Sequence, residues 1–190
     1  MIISVVGIDA AFAHMGLARA FLSDSAIRVE ELKLINTEGN AGKTVRKNSD
    51  DLRRAQELRE GMVSFCTLKQ WTKVAFVEIP HGSQSARGAW SLGIAVGVLA
   101  SCPVPIIQVS ALEVKLASVG KKTASKSEMI EWARHHHPKA GWRLHKNKLT
   151  ADNEHLADAI AAIYAGLKTD QWRQLMSMMQ PTTIERKRIL

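Results

Sequence analysis

Ile2-Ile3-Ser4-Val5-Val6-Gly7-Ile8-Asp9 is the stretch on which the reading of this chain turns. A short, nearly unbroken apolar run rich in β-branched residues reads as a strand buried on both faces, as in α/β sheets. Its carboxyl end carries an acid, and open α/β sheets bind their ligands beyond the carboxyl ends of their strands. A second run, Val74-Ala75-Phe76-Val77, closes in the same way on Glu78. His155 and Asp158 stand three apart at the start of an apolar helical segment, Leu156 to Leu167. Residues i and i+3 share one helix face, so both can point at the same spot. Three carboxylates and an imidazole meeting in one crevice repel or desolvate one another unless a cation lies between them. The pattern therefore predicts a hard divalent metal and a phosphate substrate. Singly, each residue has a plainer reading: Asp9 as a solvated strand end, Glu78 before Pro80 as the start of a turn, Asp158 as a lysine's partner, His155 as a cap or packing residue.

The chain of 190 residues fits one domain with a full-sized core. Its 46% hydrophobic and 23% charged residues are those of a soluble globular protein. With 26 Lys+Arg against 18 Asp+Glu, the net charge of +8 points to a polyanionic partner. Nucleic acid is favoured over membrane, because no apolar stretch approaches the ~20 residues needed to span a bilayer. The N-terminus starts directly on a strand, without a charged leader or a cleavage site, which argues against secretion. Cys66 and Cys102 lack CxxC spacing and sit in apolar sequence, so they are expected to be core thiols in a reducing, cytoplasmic setting.

Along the chain, strands come first and then alternate with helices. Residues 2–9, 14–22 and 28–36 read as strands, the third half-buried by its alternation of Val29, Leu32 and Leu34 with polar neighbours. The polar, glycine-bearing stretch 37–50 reads as a loop. Ser49 or Asp50 is placed to cap a helix from 51 to about 70, with Leu52, Leu58, Met62, Phe65 and Leu68 inward. A strand at 73–79, a loop at 80–85, a helix at 86–101 rich in small residues and a strand at 104–109 follow. A long basic loop leads to a helix at 125–136, a polar stretch to 150 and the helix beginning near 153. Residues 170–179 read as a short helix and 181–190 as a basic tail. No internal repeat is visible.

Several of these motifs, in this order, resemble the RuvC-type Holliday junction resolvases, nucleases of the RNase H-like superfamily. The matching residues are Gly7-Ile8-Asp9, Glu78, and Leu92-Gly93-x-Ala95-x-Gly97-Val98. Further matches are Val114-Lys115, Lys126-Ser127, and His155-x-x-Asp158-Ala159. The resemblance covers roughly residues 1–168. It implies an α/β, RNase H-like fold with a five-stranded mixed sheet flanked by helices, a nuclease domain over 1–168 and a C-terminal extension over 169–190. It also implies a metal-dependent, structure-selective DNA endonuclease that resolves four-way junctions. The fourth metal group is Asp in some members and His in others, so His155 is an allowed variant. Two departures stand out: Ala10-Ala11 follows the first Asp where Pro-Gly is common, and His81 occupies the place of an aromatic associated with wedging the junction.

On this reading Asp9, Glu78, His155 and Asp158 form the catalytic and metal-binding set. They would hold two Mg²⁺ about 3.5–4 Å apart, one activating the attacking water and one stabilising the leaving 3′ oxygen. The imidazole would let Mn²⁺ substitute. Asp9 is the expected bridging ligand, and Glu154, about 100° round the helix from His155, is expected to be a surface residue. Lys115 and Lys126 match the family's DNA-contacting lysines. With Lys121 and Lys122 they make a basic loop for phosphate, and His81 is placed to stack on a base. Arg46, Lys47, Arg53 and Arg54 are expected to extend that surface. His135-His136-His137 reads as a capped helix end. Trp71, Trp90 and Trp132 are expected in the core, while Trp142, among Lys139, Arg143 and His145, is the tryptophan placed for nucleic acid. A four-way junction has two symmetric incision points, which suits a homodimer, with helix 86–101 as candidate interface. Two alternatives remain open, a monomeric RNase H-like nuclease acting on RNA or other branched DNA, and a junction-binding protein that does not cut. An actin-like ATPase also opens on Gly-x-Asp, but would need glycine-rich phosphate loops that are missing here.

Overall fold

The opening run folds as β1 (Ile3–Ala10), the central strand of a five-stranded sheet in the computed structural model, which describes residues 2–24, 26–40, 45–67, 72–80 and 82–179. β2 (His14–Leu22) returns antiparallel to it and β3 (Ile27–Asn36) antiparallel to β2. α1 (Lys47–Thr67) then crosses over to β4 (Val74–Glu78), which runs parallel to β1. α2 (Ala86–Leu99) leads to β5 (Ile106–Val109), parallel to β4, and completes the order β3-β2-β1-β4-β5. α3 (Ala111–Ala117), α4 (Lys126–His136), a small hairpin of β6 (Leu144–His145) and β7 (Lys148–Leu149), α5 (Asn153–Gly166) and α6 (Asp170–Met179) follow. The mixed five-stranded sheet with flanking helices is the expected fold.

Because side chains alternate across a strand, the sheet divides the core in two. On one face Ile3, Val5, Ala18, Ala20, Val74, Phe76 and Ile107 pack against α5, whose Ile160 and Ile163 are fully buried. On the other, Val6, Ile8, Met15, Leu17, Ala75 and Val77 meet Leu58, Met62 and Phe65 of α1 and Val98 and Leu99 of α2. Burying a side chain such as Ile160 stabilises the fold by about 1.5–3 kcal/mol. Trp172 of α6 joins the α5 face, its ring edge-on to Phe76 with centroids 5.4 Å apart. Among the described residues no helix is long and apolar enough to cross a membrane.

Several expectations need correcting. α1 starts at Lys47, and Asp50 lies buried inside its first turn, where it accepts the Asn40 N–H at 3.0 Å and pairs with Arg53 instead of capping. Leu52 points outward, 61% exposed. Arg54 turns inward, its guanidinium 4.0 Å from the Phe12 ring centre and bonded to Thr37, so it adds nothing to the basic surface. The loop foreseen between β5 and the helix at 126 contains α3, opened by a reciprocal Ser110–Glu113 capping box. Trp90 is 53% exposed, its indole N–H donating to Asp51, which also receives both arms of Arg87. Trp132 does pack on the core. Trp142 is partly buried against the core as well, donating to the His137 carbonyl at 2.9 Å. His137 is buried against the Tyr164 hydroxyl at 3.0 Å, so the histidine triplet is not wholly a surface cap. Cys66 and Cys102, far apart in sequence, both lie in the core on the α1 face of the sheet, as expected. Leu68, Trp71, His81 and the tail over 181–190 lie outside the described residues.

Candidate metal centre

Register brings the first two acids together. β1 and β4 run parallel with Asp9 opposite Glu78, and in-register neighbours point to the same side of a sheet. That side is the α5 face, since Gly7, two residues before Asp9, lies directly under Ala159. The approach is close: a Cβ on Gly7 would fall 1.9 Å from the Ala159 carbonyl oxygen, and one on Gly16 2.0 Å from that of His155. Only glycine lets the helix backbone lie so near the sheet. Gly16 is itself the β2 partner of Asp9. The first turn of α5 is thereby pressed onto the end of β1.

His155 Nδ1 lies 2.8 Å from Asp9 Oδ2, with side-chain exposures of 18% and 16%. Its Nε2 lies 3.6 Å from Glu154 Oε1. Burial works against an imidazolium here, but the hydrogen bond and charge of Asp9, aided by Glu154 and Asp158, outweigh it and hold the His155 pKa above its usual range. Asp158 is pushed up to about 7, first by burial and then by the charge of Asp9, with His155 and Lys115 acting the other way. Glu78 is pushed up to about 8 by burial, then by Asp9 and Asp158, again opposed by Lys115. The carboxylates therefore feel one another in a partly desolvated crevice, the condition that a bound cation relieves. Among the described residues no three His, Cys, Asp or Glu side chains form a ready-made cage. Asp9 and His155 are bonded to each other, and that contact would have to open for both to face one ion. The donor set of three carboxylates and one imidazole fits a hard or borderline divalent cation.

The cations divide. Lys115 stands on α3, half-buried, within reach of Glu78 and Asp158. Lys126 opens α4, 80% exposed, with its ammonium 2.8 Å from Glu154 Oε1 and near enough to Asp158 and Asp9 to feel their charge. Lys121 pairs with Glu128 at 2.8 Å, and Lys122 is exposed. The four lysines thus do not form one loop: the first lies on α3, the last on α4, and the middle two between the helices. Glu154 is not a surface residue either, being 17% exposed and held between Lys126 and His155.

Sequence reading overlooked His14 and Asn153. His14 stacks on His155 with ring centroids 5.1 Å apart and is anchored to Asn36 at 3.0 Å, its cross-strand partner. Its signal was its place two residues before Gly16, which puts it on the Asp9 face of β2. Asn153, fully buried, bonds Arg143 N–H at 2.9 Å and the Arg143 and Thr150 carbonyls at 2.8 and 3.0 Å. Its neighbours in sequence are the only hint of that role.

No family model matches the chain, and no curated protein does. Among solved structures it is similar to Thermus thermophilus RuvC in complex with a Holliday junction substrate, with a TM-score of 0.62 and 20% identity, over 87% of this chain and 92% of that one. It is also similar to a structure of Thermus thermophilus RuvC at a TM-score of 0.57 and 20% identity, over 93% and 97%. At this identity the likeness speaks for architecture, and the chain has the RNase H-like fold of RuvC over most of its length.

Proposed function

We propose that the protein is a structure-selective DNA endonuclease that resolves four-way junctions by metal-dependent hydrolysis of the phosphodiester backbone. The observation that carries this reading is the convergence of Asp9, Glu78 and Asp158, with His155, at the carboxyl end of β1 and β4, on a fold whose solved relative holds a Holliday junction. Divalent ions bound there, Mg²⁺ or Mn²⁺, would generate the attacking hydroxide and offset charge on the phosphate. Asp9, opposite Glu78 in the sheet and bonded to His155 of α5, would be the ligand common to the bound ions, with Glu78 and Asp158 each completing one site. His155, held by Asp9 and stacked on His14, would serve as a ligand once that contact opens, or would position the water. Lys115 moderates the negative crowding and Lys126 meets a phosphate. Water oxygen bonds to phosphorus as the bond to the 3′ oxygen breaks, leaving a 3′ hydroxyl and a 5′ phosphate.

Two incisions per junction call for two sites, and a two-fold homodimer supplies them. α2 supports this role. Its Ala86, Ala89, Trp90 and Gly93 are exposed, and the space beside Gly93 and Gly97 is open.

A labelled synthetic four-way junction incubated with the protein and Mg²⁺ is expected to yield paired nicked duplexes, with linear duplex left intact. Asp9→Asn should abolish cutting while keeping junction binding, because it removes the bridging charge and leaves the lysines in place. Undiminished cleavage by that variant would sink the metal assignment. Binding without cleavage by the wild type in either metal would favour a junction-binding protein.

A further inference from the structure

Between the end of α4 and the start of α5 the chain makes an excursion that the metal centre does not use. Residues 139–150 carry Lys139, Arg143, Lys146 and Lys148 and no Asp or Glu. Within them β6 and β7 pair Leu144 with Leu149 and His145 with Lys148. The turn is made by Lys146 and Asn147, both in the left-handed region at φ 48° and 61°, the conformation of a two-residue type I′ hairpin. Such a turn is tight and its twist matches that of the strands, so the cations at its tip are displayed on a short, defined ribbon. Residues 143–148 are all exposed.

We propose that this hairpin is a second nucleic-acid contact, gripping the phosphodiester backbone of a duplex arm beside the candidate active site. The inference rests on the nuclease reading above and extends its binding surface beyond Lys115 and Lys126. Position is the first argument. The base of the hairpin is tied to the first turn of α5 by the buried Asn153, which bonds Arg143 through both its N–H and its carbonyl, two residues before His155. Thr150 N–H closes the same base on the Arg143 carbonyl at 3.2 Å. The ribbon therefore stands at the end of the molecule where the carboxylates converge. Charge is the second argument. Arg143 has Asp152 as a distant partner at 3.7 Å, while neither Lys146 nor Lys148 has an ion pair among the described residues. A solvated charged loop ordinarily mixes signs, and this one does not.

The test uses the full chain carrying Asp9→Asn, so that binding is read without cutting. Junction affinity is measured by fluorescence anisotropy across a salt series for this parent, for the parent with Lys126→Ala, and for the parent with Lys146→Gln and Lys148→Gln. Thermal melts verify that the exposed substitutions leave the fold intact. The hairpin pair is expected to weaken binding on the order of tenfold at physiological salt and to lower the slope of log K against log salt by about 2, at ~0.9 per phosphate contact. In the unsubstituted chain, saturating junction should also protect Lys146 and Lys148 from amine acetylation read by mass spectrometry. If Lys126→Ala weakens binding while the hairpin pair leaves affinity, slope and acetylation unchanged, the hairpin proposal falls and the nuclease reading stands. A parent that binds no junction at any salt overturns both.

Discussion

His155 carries the most at the scale of single residues. It touches Asp9 through Nδ1, faces Glu154 through Nε2 and lies under the His14 ring. If it is a ligand or positions the water, His155→Ala should lower single-turnover cleavage by at least about 10–100-fold, a loss seen even for outer-shell partners of metal ligands. Binding should change far less. His155→Asp should restore much of the rate, most of all in Mg²⁺, because it supplies an oxygen donor at the same helical position. Alanine cutting as fast as histidine would reduce the set to three carboxylates. The four residues were visible in the sequence because each ends or begins an element whose apolar pattern is plain. Glu154 was misplaced because helical angle alone does not reveal that α4 presents Lys126 to it.

At the scale of elements, α5 is what brings the candidate residues of the centre to the sheet, and its contact with β1 and β2 depends on Gly7 and Gly16. A methyl at Gly16 would sit 2.0 Å from the His155 carbonyl oxygen and 2.5 Å from its carbon. Neither atom can yield without moving the helix, so Gly16→Ala should cost about 1–3 kcal/mol, as overpacking does. It should also depress cleavage more than stability alone explains, since the atoms displaced belong to a candidate ligand. Chemical denaturation and cleavage under conditions where the variant stays folded separate the two effects. A variant as active and stable as the parent would mean that α5 has slack the structure does not show. α3 and the β6–β7 hairpin were missed in sequence for a shared reason. Both are short, and seven residues or two per strand give too little periodicity to stand out from a polar connection.

For the whole molecule, the raised carboxyl groups couple stability to pH and metal. Asp158 at about 7 and Glu78 at about 8 bind protons more tightly when folded than they would in the unfolded chain, where carboxyls titrate near 4. Between those limits the folded state holds more protons, so the metal-free protein should lose stability as pH rises from about 4 to about 8. His155, with its pKa raised, acts in the same direction through its own range. His137, lowered by burial and then by His136, opposes it. Divalent metal favours the ionised carboxylates, so the gain in melting temperature from Mg²⁺ should grow with pH. Melting curves in chelator and in Mg²⁺ at pH 5, 6.5 and 8 test this, with Asp158→Asn expected to flatten the slope. A chelated protein that melts higher at pH 8 than at pH 5, with no change on Asp158→Asn, would remove the carboxylates from the explanation.

What the sequence by itself determined is what one-dimensional patterns can encode: a mixed α/β sheet from its apolar runs, the acids at their ends, and an i, i+3 pair on one helix face. These follow from periodicity, which survives without knowledge of neighbours. Only the tertiary structure decided which groups meet. The Asp9–Glu78 register, the glycine seat that lowers α5 onto β1, the His14 ring over His155, the Lys126–Glu154 pair and the Asn153 anchor of the hairpin all join residues from separate elements. The same holds for Trp90 and Arg54, whose exposure reversed expectation. Whether an exposed-looking arginine turns inward or a tryptophan outward depends on the partner waiting there, Phe12 and Thr37 for Arg54 and Asp51 for Trp90. No local pattern of residues carries that partner's position, because packing is settled by all the elements at once.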